Sequence, residues 1–159
     1  MLPSSPFHRL AAVVLALVLT VGITGCDSSG TQDSDDENDT PEVAKTFNVT
    51  VEALDSSYPY SDQNRVGVAY AIDGEVGKVI TLERGKTYAF SLGARVSPNH
   101  PFYVGTTAEG GGGDEFRDRP AKETTGTVTF TVPASAPSAL FYVCDTHIYM
   151  GGEIRVSDP

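Results

Sequence analysis

The chain of 159 residues contains no tryptophan, only two cysteines and two methionines, three histidines, and 11 basic against 21 acidic residues. Each shortage excludes something. With a formal net charge of −10 and no basic patch, the chain is a poor ligand for nucleic acid or an anionic membrane surface. Two cysteines, Cys26 and Cys144, cannot build a disulfide framework. Beyond His8 the histidines are His100 and His147, which leaves none to spare for a Ser-His-Asp arrangement. No apolar run is long enough to span a bilayer: LAAVVLALVLTVGI, residues 10–23, rises about 21 Å as a helix against a hydrocarbon core of about 30 Å. Nor does any stretch sustain a 3.6-residue period, and no internal repeat appears.

What is present begins with an export pattern. His8 and Arg9 stand ahead of the apolar run, which ends in the small residues of TGC, so residues 1–25 read as a signal peptide. ITGC resembles the lipobox of bacterial lipoproteins, with Ile23 where leucine is more usual. The resemblance implies cleavage before Cys26, lipidation of that cysteine, and a protein held to a bacterial membrane facing the periplasm or the cell exterior. Cys144 is then the one free thiol, either a small buried hydrophobe or a group with chemistry to do. Residues 27–42, DSSGTQDSDDENDTPE, carry seven acidic groups, no basic one and no large apolar side chain. Such a segment cannot bury enough surface to offset its ordering entropy, so 26–44 are expected to be a disordered tether. The folded part, 45–159, has a much smaller charge.

From Lys45 on, short alternating runs are punctuated by glycine and proline. FNVTVEAL (47–54) puts Phe47, Val49, Val51 and Ala53 on one face, and RVGVAYAID (65–73) does the same with Val66, Val68, Tyr70 and Ile72. KVITLE (78–83), KTYAFSLG (86–93), HPFYVGT (100–106), GTVTFTV (126–132), ALFYVC (139–144) and EIRVSD (153–158) continue the pattern. This period-two reading predicts an all-β domain, an antiparallel Greek-key sandwich of about eight strands. TTAEGGGGDEFRDRPAKET (106–124) is too polar and glycine-rich for a strand and reads as a long surface loop. Three tempting motifs carry nothing. RGKT (84–87) lacks the upstream glycine of a phosphate-binding loop, the glycines at 110–113 have no helix to present to a phosphate, and the sequon at Asn48 falls inside a predicted strand.

The chemistry concentrates in FYVCDTHIYMGG (141–152). Cys144, His147 and Met150 stand three residues apart, and His100 lies 44 residues before the cysteine at a predicted strand start. Two imidazoles, a thiolate and a weak thioether are the donor set of a trigonal His₂Cys copper site with an axial methionine. The thiolate favours Cu(I), the imidazoles accept either oxidation state, and methionine is too poor a ligand for zinc. A loop between two strands can turn three side chains to one point, with His100 supplied by a neighbouring strand. Individually, each of these residues is as easily structural; their coincidence in one place argues for a metal.

Residues 45–159 resemble a cupredoxin, the blue-copper domain of plastocyanin and its relatives, and Cys144-x₂-His147-x₂-Met150 resembles the short ligand loop of the amicyanin type. Asn99-His100-Pro101-Phe102 sits where the family's first histidine ligand comes. The resemblance implies one type 1 copper held by His100, Cys144, His147 and Met150, and single-electron transfer by a monomer with a redox protein as partner. One departure stands out. The residue after the first histidine is commonly an asparagine whose N–H bonds the cysteine sulfur; Pro101 has no N–H, so the surroundings of the thiolate must differ and its sulfur is expected to be more electron-rich. Copper trafficking or storage, and a metal-free scaffold, are the alternatives. Enzymatic copper chemistry is not expected, because it needs further centres and further histidines.

Overall fold

The computed structural model describes residues 41–93, 95–96, 98–117 and 122–159. The signal peptide, Cys26 and most of the tether lie outside the described residues. Among the described residues nine strands follow one another: β1 (Val43–Ala53), β2 (Val68–Ile72), β3 (Glu75–Val76), β4 (Ile80–Glu83), β5 (Thr87–Leu92), β6 (Phe102–Gly105), β7 (Gly126–Thr131), β8 (Ala139–Cys144) and β9 (Gly152–Ser157). No helix occurs among the described residues. Strand β1 starts at Val43, two residues inside the segment expected to be tether.

The strands form two sheets, one of order β3-β2-β1-β5-β7 and one of order β4-β9-β8-β6. Their buried side chains make one core between the sheets. The expected sandwich is therefore present, but it is not purely antiparallel: β1 runs parallel to β5, and β4 parallel to β9. Tight hairpins force antiparallel neighbours, whereas a chain that leaves its sheet and returns can lie parallel to an earlier strand. Here β4 is in the second sheet, so β5 re-enters the first sheet beside β1 in the same direction. The two-residue β3 is too short to show any period.

Alternation is clean where one sheet face meets solvent. In β1, Phe47, Val49 and Val51 are buried, while Ala53 is exposed at the strand end. In β2 both faces are covered, with Ala69 and Ala71 as buried as Tyr70 and Ile72, and Val66 lies outside the strand and exposed. Aromatic rings fill the middle: Phe47 stacks on Phe90 at 5.5 Å, Phe90 meets Phe102 at 5.1 Å, and Phe102 stacks on Tyr142 at 6.3 Å. Each such ring contributes about 1.5–3 kcal/mol on burial. Where the core reaches an irregular segment, tyrosine replaces phenylalanine and its hydroxyl binds a carbonyl that no ladder partner reaches. Tyr142 donates to Lys78 O at 2.9 Å, Tyr58 to Gly151 O at 2.7 Å and Tyr70 to His100 O at 2.8 Å.

Candidate metal centre

The register of β6 against β8 sets the site. Phe102 pairs with Cys144, so the start of β6 and the end of β8 lie side by side. Asp145 N donates to Pro101 O at 2.9 Å and carries the pairing one step further. His100, two residues before Phe102, and His147, three residues after Cys144, are thereby brought to the sulfur. One donor atom each from His100, Cys144 and His147 lies within 4.8 Å of the others. His100 Nδ1 is 3.1 Å from His147 Nδ1, and Cys144 Sγ is 3.8 Å from His147 Nδ1. Metal–ligand bonds of about 2.0–2.3 Å place neighbouring donors about 3–4 Å apart, so this trio fits a single transition-metal ion. Met150 lies in the same loop, fully buried.

The surroundings favour an unprotonated imidazole at His100. Burial, and then the charge of the neighbouring His147, hold His100 below its ordinary pKa of 6.5. Burial pushes the Cys144 thiol up, and hydrogen bonds from the backbones of His147 and Thr146 and from the Tyr70 side chain oppose it. Pro101, which has no N–H to offer the sulfur, accepts from Asp145 N through its carbonyl.

The loop is fixed from several sides. Tyr149 adopts φ 51°, a left-handed conformation that costs a non-glycine residue about 1–2 kcal/mol. Its carbonyl oxygen lies 2.9 Å from the Tyr58 hydroxyl and accepts from Asn64 Nδ2 at 2.8 Å, while its N–H donates to Glu109 O at 2.7 Å. Met150 O accepts from Tyr70 N at 2.9 Å. These bonds over-determine the strained residue beside Met150.

The glycine-rich segment is a loop, as its composition predicts, but it is packed against the metal loop. Gly111 N donates to Cys144 O at 2.8 Å, and Gly110 bridges to Ile148. A Cβ on Gly110 would stand 2.9 Å from Cys144 O, and one on Gly112 2.9 Å from Asp145 Oδ1. Glycine leaves room for backbone at the first position and for a carboxylate side chain at the second. Further along, Lys122 joins Asp145 on the metal loop to Glu115 on the glycine loop, at 2.6 Å from the Glu115 carboxylate. Neither Tyr70 nor this glycine clamp carries a motif that sequence reading could have singled out.

No protein-family model and no curated protein matches the chain. Solved structures do. Rusticyanin from Thiobacillus ferrooxidans is 16% identical with a TM-score of 0.45, covering 76% of this chain and 88% of that one. Reduced rusticyanin is 17% identical with a TM-score of 0.41, covering 74% and 83%. A purple cupredoxin from Nitrosopumilus maritimus is 13% identical with a TM-score of 0.39, covering 71% and 99%. These likenesses are distant, and the reading of the site rests on this chain's own side chains.

Proposed function

We propose that the folded part binds one copper ion through His100, Cys144, His147 and Met150 and carries single electrons between redox proteins outside the cytoplasm. One observation carries the reading: two imidazoles and a buried thiol, the donor types copper prefers, converge within 4.8 Å on a loop fixed by hydrogen bonds. Bound copper would supply a Cu(II)/Cu(I) couple. The chain's own contribution is to hold the His100 imidazole unprotonated, to keep water from the buried Cys144 sulfur, and to fix Met150 beside a constrained Tyr149 so that little rearranges when the charge changes. The half-buried His147 is the ligand through which a partner would be reached. Export, lipidation at Cys26 and the acidic tether place a monomer on a bacterial membrane, attached by its lipid alone. No catalytic role follows, since His100 and His147 are both consumed by one centre.

Adding Cu(II) to the purified protein tests this directly. One equivalent should bind and give an intense visible band from thiolate-to-copper charge transfer, and the metal should cycle reversibly with slow loss. Cys144→Ser should abolish the band while the far-ultraviolet β signature remains, because a serine oxygen cannot supply that covalency. Retention of the band in the serine variant would move the site elsewhere. Ready copper hand-off to a chelator would favour trafficking, and no uptake would leave a metal-free scaffold.

A further inference from the structure

Asn64 lies on the connection between β1 and β2, in a part of the chain that supplies no metal ligand, and it is buried. Its Oδ1 accepts from Val66 N at 3.0 Å and from Gly67 N at 2.9 Å. Its Nδ2 donates to Val68 O at 2.9 Å and to Tyr149 O at 2.8 Å. A side-chain amide offers two lone pairs and two protons, and all four are used here. Three of these bonds are local and shape the entry into β2. The fourth crosses to the metal loop. It belongs to a series: Tyr149 O, Met150 O and Gly151 O are consecutive carbonyls, and each meets a donor from residues 58–70. These donors are Asn64 Nδ2 at 2.8 Å, Tyr70 N at 2.9 Å and the Tyr58 hydroxyl at 2.7 Å. The Tyr58 hydroxyl has one proton and its shorter contact is to Gly151 O, which leaves Asn64 as the donor for Tyr149 O.

We infer that Asn64 is a positioning residue of the metal centre: by holding the Tyr149 carbonyl it keeps Tyr149 left-handed and so fixes where the Met150 thioether stands. The inference rests on the copper reading above, in which Met150 is the weak axial ligand, and adds to it the residue that sets that ligand's place. Tyr149, at φ 51°, is neither glycine nor asparagine, and such a residue relaxes unless its surroundings hold it. Relaxation would turn the peptide between Tyr149 and Met150, and with it the direction in which the Met150 side chain leaves the backbone. The ring of Tyr60, on the same connection as Asn64, lies 5.8 Å from that of Tyr149 and grips the residue from its other end. A thioether free to move back is a weaker donor. Its loss destabilises Cu(II) more than Cu(I), so the reduction potential rises.

The test uses the full chain and Asn64→Ser, whose hydroxyl can still answer the N–H groups of Val66 and Gly67 but is too short for Tyr149 O. Loaded with Cu(II), the variant should take up one equivalent, at a potential raised in the same direction as Met150→Leu. Combined with Met150→Leu, Asn64→Ser should move the potential no further, because its effect passes through the thioether. In the metal-free protein the Tyr70 N–H, bonded to Met150 O, should exchange with solvent about five- to tenfold faster in the variant, the loss of one buried hydrogen bond. The N–H groups between β5 and β7 should keep their rates. Copper uptake with an unshifted potential, or an equal shift on top of Met150→Leu, would overturn this inference and leave the copper reading standing. No copper uptake by the wild type would overturn both. Should Asn64→Ser fail to fold, the metal-free wild type decides. Its Asn64 amide protons should be protected from exchange and lie close to Tyr149, and freely exchanging ones would count against the inference as firmly.

Discussion

Two irregular connections meet at the metal centre, and they were built on opposite terms. Residues 145–151 are specified by side chains: His147 and Met150 for their donor atoms, Asp145 for its tie to Lys122. Residues 106–117 are specified at their tip by the lack of side chains, since a Cβ at Gly110, Gly111 or Gly112 would crowd Cys144 O, Ile148 Cγ2 or Asp145 Oδ1 at 2.9 Å in each case. Gly113, the next residue, would meet nothing within 4 Å. The glycine run is therefore not a uniform flexible tether. Gly110 lets its backbone lie against that of Cys144, Gly111 and Gly112 leave room for the Ile148 and Asp145 side chains, and these contacts help hold the loop that carries the ligands. A polar, low-complexity stretch was the natural place to expect looseness, and here it serves as a brace.

The sharpest break comes where the metal loop passes under β8. A Cβ on Gly151 would overlap the carbonyl oxygen of Tyr142, so Gly151→Ala must move backbone. It should cost more than about 3 kcal/mol and lose copper binding, measured by denaturant unfolding and by copper titration. Next is the contrast within the glycine run. Gly110→Ala combines φ 66° with contact to Cys144 O and Val143 Cβ, and should cost about 2–4 kcal/mol while weakening copper retention. Gly113→Ala, at φ 92° in open space, should cost about 1 kcal/mol and leave copper retention untouched. Equal effects at the two positions would dissolve the distinction drawn above.

Smaller effects sharpen the role of the ligand loop itself. Met150→Leu should keep one bound copper and raise the potential, because losing a weak donor destabilises Cu(II) more than Cu(I); voltammetry showing no change would make Met150 a core residue. Smallest is the pH response of the metal-free protein. Burial and His147 hold His100 below 6.5, so on acidification the unfolded chain takes up a proton before the folded one. Stability is then fully present above that value and declines as pH falls through the window beneath it. Thermal unfolding of the metal-free protein between neutral and acidic pH reads this out, and a flat profile would mean that His100 is no more shielded folded than unfolded.

Much of the fold was legible in single residues. The alternation of Phe47, Val49 and Val51 follows from a strand with one face on the core and one in solvent, and the same rule exposes β7 and β9. The rule failed where burial is two-sided: Ala69 and Ala71 carry no outward signal, though both are buried. Parallel pairing of β1 with β5 was also invisible, since it depends on where β4 goes and not on either strand's own residues. At the site, Cys144 and His147 announce themselves by type and spacing. Tyr70 does not, because its position in β2 looks like any other alternating aromatic.

The sequence by itself determined which atoms the folded part, 45–159, has available: the Cys144 thiol, the His100 and His147 imidazoles, the Met150 thioether, and a run of glycines at 110–113. Such choices are local, set by side-chain chemistry and by the conformations each residue tolerates. Only the tertiary structure decided that these atoms meet. The Phe102–Cys144 register delivers His100 to the sulfur, the β2 strand of the other sheet delivers the Tyr70 hydroxyl to His100, and the glycine loop lies against Cys144 O. Those contacts join residues tens of positions apart, and they exist because two sheets close over one aromatic core, which no local pattern can express.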